Sequence, residues 1–421
     1  MIAAVIMFII MYICLLTMPN HRAEVALCAA LVFVVSGILP ISAIMTAINW
    51  NVIMMLAGTM GIVELFISSR MPLRLAEKLI SAVPNVCWAV IVLSIFAGVV
   101  SAFVDNVATV LMIAPVGLEV SKKLKINPIP IIISIAVSSN LQGAATLVGD
   151  TTSILLGNYT GMSFTDFFWM NGRLGIAFAV EVGAMLTIPV LMWLFRKEKA
   201  PVQANVETEV TDYVPSVLLV GVVVMLIAAS MFPNKPELTN GYICLGLAAI
   251  GTVYECLRNH SIQNAKLVFM AIDWRTLFLL IGLFLVIEGI TYAGVIDAIA
   301  ELFVKIGGSN EFLLYTLIVF VSVFLSAFID NIPYVATMLP VITTLSAILG
   351  VEPYLLSFGL LIGATLGGNL TPVGASANIA GIGILQKAGY KVSTKDFLRI
   401  GIPFTLAAVL GGYITLWLIW G

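Results

Sequence analysis

Charged residues are scarce in this chain of 421 residues. Only 10% of the residues are Asp, Glu, Lys or Arg, whereas 61% are hydrophobic and the mean hydropathy is +1.11. This composition excludes a water-soluble domain, which needs a largely polar surface. We therefore expect an all-α polytopic membrane protein with about ten full transmembrane helices, each of roughly 20 apolar residues.

Cysteine and histidine are also rare, and their positions do not indicate a metal site. The two histidines lie beside basic loop residues, and the five cysteines are scattered without CxxC spacing. Such cysteines usually pack in the interior, and no resident metal or cofactor is predicted. The chain also lacks the GxxxxGK[ST] phosphate-binding motif, and nothing in it favours nucleic-acid binding.

The distribution of polar residues divides the chain into two halves. The long polar stretch RKEKAPVQANVETEVTD predicts a cytoplasmic linker, 196–213, between a first half, 1–195, and a second half, 214–421. The first apolar run has no basic n-region or cleavage site, which predicts a retained helix. Under the positive-inside rule, the basic clusters indicate the cytoplasmic side of a cell (cytoplasmic or inner) membrane, with the amino terminus outside. These clusters are His21 with Arg22; Arg70, Arg74 and Lys78; and Arg258, Lys266 and Arg275.

Two segments repeat at a shift of 225 residues. SAFVDNVATVLMIAPV, from Ser101 to Val116, aligns with SAFIDNIPYVATMLPV, from Ser326 to Val341, with eight of sixteen positions identical. Polar residues and glycines match elsewhere as well: 143–149 falls on 368–374, and at a shift of 224 Trp50, Gly58 and Glu64 fall on Trp274, Gly282 and Glu288. This pattern predicts a duplication, with copies in opposite orientations if each half has an odd number of spans.

Each copy carries an Asp-Asn pair deep in apolar sequence. Asp105 follows the uncharged stretch 79–104, and Asp330 follows the apolar run 312–329. A carboxylate at the bilayer centre costs at least about 2.5–3.5 kcal/mol, so it persists where it faces a cavity, a partner or a cation. An Asp held by a neighbouring helix purely for packing is the structural alternative.

The residues after each Asp strengthen the functional interpretation. Asn106 and Asn331 add an amide oxygen beside each carboxylate, and Pro333 predicts a break in the helix. A break inside a membrane exposes backbone groups that protein, water or a bound ion must satisfy, and transporters place their sites at such points.

Two further segments are poor in charge and rich in Gly, Ser, Thr and Asn. SSNLQGAATLVGDTTS, from 138 to 153, and GGNLTPVGASANIAG, from 367 to 381, could be close helix contacts. The pairs Thr371-Pro372 and Gly367-Gly368 instead favour re-entrant hairpins whose turns offer hydroxyl and amide groups. Asp150 supplies a third carboxylate that the second copy lacks, so we expect an asymmetric site.

Two membrane glutamates and the absence of bases complete the pattern. Glu64 and Glu288 recur in both copies, as proton-relay candidates or as partners in structural hydrogen bonds. No Lys or Arg lies in the four motif segments, which favours cations or protons as ligands. An anionic substrate would need helix amino termini or co-bound cations to meet its charge.

These motifs, together with SFTDFFWMNG and KDFLRIGIPF, resemble the ArsB/NhaD branch of the ion transporter superfamily, which includes arsenite-efflux permeases, sodium/proton antiporters, the P protein and, more distantly, citrate carriers. The resemblance implies two inverted repeats with re-entrant hairpins and broken helices, and a homodimeric scaffold with an elevator-type transport domain. At Asp150-Thr151-Thr152-Ser153 the chain departs from the Asp-Pro-Pro-Asn of many relatives. The substrate and ion site implied by the resemblance comprises Asp105, Asn106, Thr146, Asp150, Asp330, Asn331, Asn369, Thr371, Ser376 and Asn378.

The leading hypothesis is a secondary active transporter, not an enzyme, that moves a small inorganic ion by a proton or sodium gradient, as in sodium/proton antiport. Its predicted partners are the lipid bilayer and a small ion or molecule, and bound Na⁺ or H⁺ would be transported rather than resident. Arsenite efflux and sodium-coupled di- or tricarboxylate transport are alternatives, and a passive channel suits the tandem breaks less well. An intramembrane aspartyl protease is a distant alternative, since its Tyr-Asp and Gly-x-Gly-Asp signatures are missing.

Overall fold

The computed structural model describes residues 1–124, 126–202, 208–232 and 234–421. Over these ranges the chain is almost entirely helical, with one short antiparallel hairpin of β1 (Trp169–Met170) and β2 (Arg173–Leu174). Short 3₁₀ turns occur at Pro19–His21, Ile41–Ala43, Thr165–Phe167 and Gly368–Leu370. The α-helices are α1 Ile2–Thr17, α2 Arg22–Val35, α3 Ile44–Ala47, α4 Trp50–Ser68, α5 Met71–Ser81, α6 Val86–Ser101, α7 Asn106–Leu124, α8 Ile129–Gly143, α9 Thr151–Thr160, α10 Ile176–Phe195, α11 Val214–Ser230, α12 Thr239–Arg258, α13 Gln263–Ala271, α14 Trp274–Tyr292, α15 Val295–Gly307, α16 Glu311–Ser326, α17 Asn331–Leu349, α18 Tyr354–Gly367, α19 Ser376–Lys387 and α20 Thr394–Trp420.

Many of these helices are apolar enough to cross a membrane. Within the described ranges, six pass a test of length and hydropathy, and the number is eight if two bent pairs each count as one span. The bent pairs are α1 with α2, at 115°, and α15 with α16, at 117°. Our expectation of about ten full spans is higher than this count. Other apolar helices are shorter than this test requires, such as α6 with 16 residues and α11 with 17.

The Asp-Asn pairs lie where one helix ends and the next begins. Helix α6 ends four residues before Asp105, and α16 ends four residues before Asp330, so 102–105 and 327–330 are the two breaks. Pro333 lies in the first turn of α17, where its missing N–H costs nothing, so the second break precedes the proline rather than lying at it. The first break forms without any proline.

The two Gly-rich segments form helical hairpins. Helices α8 and α9, with the turn 144–150, make the first hairpin, and α18 and α19, with the turn 368–375, make the second. These four helices have 10 to 15 residues, so none reaches the length that a full span needs.

Each hairpin turn lies against a break, and both turns use the same contacts. In the first turn, the Thr146 hydroxyl donates a hydrogen bond to the Ala102 carbonyl oxygen. A Cβ added at Gly149 would lie 2.9 Å from this Ala102 oxygen and 2.7 Å from the Gly143 carbonyl oxygen. Only glycine therefore fits at Gly149. The residues 225 positions later do the same: Thr371 donates to Ala327, and a Cβ at Gly374 would lie 2.9 Å from the Ala327 oxygen and 2.6 Å from the Gly368 oxygen.

The long helices pack in two sets. In one set, α4 packs on α12 and α11, and α2 packs on α14 and α1. In the other, α6 packs on α8, α16 on α18 and α10 on α20. Helices α5 and α15 contact both sets, since α5 packs on α4, α6 and α7, and α15 packs on α14, α16 and α17.

Candidate functional site

A cavity of 260 Å³ lies where the amino termini of four helices meet. Its walls include the first residues of α7, α9, α17 and α19. The first N–H groups of a helix have no partner inside the helix, and they carry the positive end of its dipole. Asp105, Asp150 and Asp330 accept backbone hydrogen bonds at three of these termini, whereas Ala375 precedes α19 and offers no side-chain cap.

Four carboxylate side chains line this cavity: Glu64, Asp105, Asp150 and Asp273. Among the described residues, its walls contain no Lys, Arg or His. Asp273, which the sequence reasoning missed, is the amino-terminal cap of α14 and accepts hydrogen bonds from the N–H of Thr276 at 3.1 Å and its hydroxyl at 2.6 Å. A loop position next to a predicted span was the only signal for it. The cavity therefore has a negative lining that attracts cations.

Asp150 is the most enclosed of these four carboxylates, with 6% of its surface exposed. Its Oδ1 accepts from the Thr151 N–H at 2.8 Å, and its Oδ2 accepts from the Thr152 hydroxyl at 2.8 Å. The amide of Asn331 also donates to Oδ2, at 3.4 Å. This last contact joins the first hairpin to α17 of the second half, so the structure brings both predicted residues to one point.

Asp330 has a cationic partner that no motif segment contains. The Arg22 guanidinium lies 2.6 Å from Asp330 Oδ2, and the two side chains are 22% and 6% exposed. Ser376 Oγ donates to the same oxygen at 3.2 Å, and the Ile332 N–H donates to Oδ1 at 3.2 Å. The sequence reasoning had assigned Arg22 to a basic loop cluster. The bend between α1 and α2 instead places Arg22 against Asp330, so the charge of Asp330 is neutralised within the protein.

Three asparagines connect the two hairpins. The amide of Asn140 on α8 donates to Asn369 Oδ1 at 2.8 Å and to Asn378 Oδ1 at 3.2 Å. Asn369 in turn donates to the Val137 carbonyl at 2.9 Å, and Asn378 donates to the Thr371 carbonyl at 3.1 Å. Asn140 also lines the cavity, although the sequence reasoning did not select it. Its place in the polar segment that begins at Ser138 was the available signal.

The other predicted residues divide into two groups. Asn106 and Ser376 line the cavity, and Asn106 Oδ1 accepts from the Ser101 hydroxyl at 2.6 Å. Thr146 and Thr371 face backbone carbonyls instead, so they hold the hairpin turns and are not among the residues that line the cavity.

The two repeated glutamates have different surroundings. Glu64 lines the cavity and accepts from the Ser68 hydroxyl at 3.4 Å. Glu288 is half-buried elsewhere on α14 and is not among the lining residues. No group of three or more His, Cys, Asp or Glu in the described part of the chain is arranged to hold a metal ion. The carboxylates are therefore spread around the cavity and do not form a compact metal centre.

Sequence relatives cover the whole chain. A family model described as citrate transporter (CitMHS) matches residues 12–358 and 243–421. An uncharacterized transporter of Mycobacterium tuberculosis strain CDC 1551 is 32% identical over 432 residues, which cover 99% of this chain and 98% of the relative. The P protein of Mus musculus is 26% identical over 438 residues, covering 85% of this chain and 52% of that protein. These matches confirm the resemblance to the ion transporter superfamily.

Solved structures show the same fold at low sequence identity. The YdaH transporter of Alcanivorax borkumensis aligns with a TM-score of 0.59 at 14% identity, covering 89% of this chain and 86% of that chain. MtrF of Neisseria gonorrhoeae, described with a class of antimetabolite efflux pumps, aligns with a TM-score of 0.56 at 16% identity, covering 88% and 80%. The predicted helical membrane fold is therefore confirmed, apart from the short hairpin of β1 and β2. The chain belongs to the citrate transporter family of the ion transporter superfamily, and it is a multi-pass membrane transporter of a small substrate, not an enzyme.

Proposed function

We propose that this transporter binds a small inorganic cation, Na⁺ or H⁺, between Asp105 and Asp150 and performs secondary active transport like that of a sodium/proton antiporter. The observation that carries this proposal is the 260 Å³ cavity lined by four carboxylates and by no basic residue of the described chain. Buried carboxylates are costly inside a membrane unless a cation or a proton compensates them.

The three motif carboxylates contribute unequally. Arg22 neutralises Asp330, whereas Asp105 and Asp150 both line the cavity without a basic partner among the described residues. Two facing carboxylates repel one another, so one bound cation or proton relieves both the desolvation and the repulsion. Carboxylate and amide oxygens are the ligands that hard cations prefer, and Asn140 adds an amide at the cavity wall.

The proposed movement involves two inverted repeats and two sets of helices. Residues 1–195 and 214–421 would be inverted repeats joined by the linker 196–213, which the matching contacts at a shift of 225 support. The set of α1, α2, α4, α11, α12 and α14 would form a scaffold that dimerises in the cell membrane, and the set containing both hairpins would move as an elevator. The packing of α4 on α12 and of α2 on α14 in one set, and of α6 on α8 and of α16 on α18 in the other, supports this division.

Sodium-coupled transport of a small carboxylate is the second candidate. Ser376, at the uncapped amino terminus of α19, lines the cavity, and the Arg22 guanidinium lies 2.6 Å from Asp330, which Ser376 also contacts. An unpaired helix terminus and a nearby arginine can together bind an anionic group. The description of the matching family, citrate transporter, supports this candidate, in which the cation at Asp105 and Asp150 would be the coupling ion.

Flux through purified protein in proteoliposomes tests the proposal across Na⁺, Li⁺, arsenite and citrate at two pH values. We expect a Na⁺ or Li⁺ gradient to drive proton movement, and we expect Asp105→Asn or Asp150→Asn to lower that flux at least about tenfold, equivalent to ~1.4 kcal/mol. Asp297→Asn, which alters an exposed carboxylate on α15, is the matched control and should leave the flux unchanged. Citrate flux that requires Na⁺ would support the second candidate. Flux that ignores every ion gradient and both substitutions would refute the proposal.

A further inference from the structure

An acidic side chain that the proposed transport site does not include lies on membrane-spanning helix α10. Glu181 belongs to α10, one of the six helices long and apolar enough to span a membrane among the described residues. Two cavities of 340 and 230 Å³ both have Glu181, Gln142 and Val99 in their walls. They therefore adjoin one another and form one groove along α6, α8 and α10.

Two oxygen atoms in this groove lack hydrogen-bond partners. Gln142 Oε1 and Ser94 Oγ are buried without a partner among the described residues, and the two residues are 8% and 1% exposed. Leaving a buried polar atom unpaired costs about 1–3 kcal/mol, so such an atom calls for a ligand or an ordered water. A Cβ at Gly98 would lie 2.8 Å from Gln142 Cγ, so the glycine is what lets the Gln142 side chain lie against α6.

The remaining walls of the groove are mainly apolar. No Lys, Arg or His occurs among the described residues that line either cavity. The amide oxygen of Gln142 and the hydroxyl of Ser94 are therefore buried among apolar side chains, whereas Glu181 is exposed and borders the same two cavities. The apolar side chains include Phe178, Leu141, Met185, Ile188, Leu191 and Phe404.

We propose that this groove binds a primary ammonium ion with a compact apolar body. An ammonium group carries three N–H donors, and the walls of the smaller cavity offer three acceptors: Glu181, Gln142 Oε1 and Ser94 Oγ. Its charge neutralises Glu181, and its body fills the apolar walls, which is the usual composition of a small-molecule site. A strongly hydrated inorganic cation would leave the walls without contacts, and a neutral hydrocarbon would leave the carboxylate uncompensated. This site is separate from the cavity of the proposed cation transport.

The groove also reaches the first hairpin. Thr146 and Ala145 line the larger cavity, and Thr146 belongs to the same turn, 144–150, as Asp150. A ligand in the groove would therefore contact the same turn whose Asp150 lines the central cavity. The two sites can be distinguished by substituting a carboxylate in each.

Equilibrium binding of radiolabelled 1-adamantylammonium to the full-length protein in lipid nanodiscs tests the proposal, with neutral 1-adamantanol as the comparison ligand. We expect saturable binding of the amine and at least about tenfold weaker binding to Glu181→Gln, since tenfold equals ~1.4 kcal/mol. Gln142→Leu should weaken binding less. Asp150→Asn and Glu301→Gln, the latter an exposed carboxylate on α15, should leave it unchanged.

Three results would overturn the proposal: equal binding of 1-adamantanol, unchanged binding to Glu181→Gln, or loss of binding in Asp150→Asn, which would place the amine in the central cavity. A photoreactive diazirine derivative of the amine gives a readout on the unsubstituted protein, in case Glu181→Gln does not fold. Labelled peptides from α6 or α10 support the groove, and labelled peptides only from α17 or α19 contradict it.

Discussion

The pair of Arg22 and Asp330 allows a quantitative prediction, because its geometry and burial are both defined. The charged atoms are 2.6 Å apart, and the side chains are 22% and 6% exposed. At an effective dielectric constant of about 20, two unit charges roughly 3 Å apart attract by about 5.5 kcal/mol. Desolvation of both ions offsets part of this attraction, and removal of one partner from a buried pair typically costs about 3–5 kcal/mol.

We therefore expect Arg22→Gln to lower the free energy of unfolding by about 3 kcal/mol, at the low end of that range because Arg22 is partly exposed. Asp330→Asn should have a similar effect, because it leaves Arg22 without its partner. The double variant should be much less destabilised than the sum of the two, and the interaction energy in a double-mutant cycle should reach about 2–3 kcal/mol.

The assay is denaturant unfolding of the purified protein in lipid–detergent micelles, followed by tryptophan fluorescence. The exposed pair of His21 and Glu24, 3.7 Å apart, is the matched control in a neighbouring turn, and Glu24→Gln should leave the unfolding midpoint unchanged. Additive effects of Arg22→Gln and Asp330→Asn, with an interaction energy below about 0.5 kcal/mol, would refute the pair as a structural and electrostatic unit.

Two further predictions concern the hairpins. Gly149→Ala and Gly374→Ala should each destabilise the protein by about 1–3 kcal/mol, because a Cβ would lie 2.7 or 2.6 Å from a backbone oxygen. The control is Gly246→Ala on α12, which has open space around it and should be neutral or slightly stabilising. Equal unfolding midpoints for all three variants would contradict the close approach. Asn140→Leu should lower the free energy of unfolding by about 1–3 kcal/mol and abolish substrate flux, because it leaves the buried amide oxygens of Asn369 and Asn378 unpaired. Asn259→Ala on the surface is the control. Unimpaired flux in Asn140→Leu would show that the asparagine cluster does not support transport.

Much of the fold follows from local chemistry and is therefore readable in the sequence. A chain with 61% hydrophobic and 10% charged residues, arranged in apolar runs of roughly 20 residues, satisfies its backbone hydrogen bonds in lipid by forming helices. Asp105 and Asp330 cap the helices that follow them, so each break ends at a polar residue that follows a long apolar run. Pro333 gave a less accurate position, since a proline in the first turn begins a helix as readily as it ends one.

The residues that line the site could be predicted from local sequence only in part. Glu64 and Glu288 match in the sequence, yet only Glu64 lines the cavity, because side chains on packed helices face whatever surface the packing selects. Asp273 joined the site for the same reason, and it lies in no repeated motif. Residue identity alone cannot distinguish such positions.

The sequence by itself determined that this protein is a membrane transporter with paired breaks and paired hairpins, because helix formation, helix capping and insertion in lipid depend on residues close together in the chain. Only the tertiary structure decided which charged and polar side chains become partners at the site. Arg22 lies 308 residues before Asp330, and Asn140 lies 229 residues before Asn369. Contacts over such separations arise from how the helices pack, and no local pattern records them.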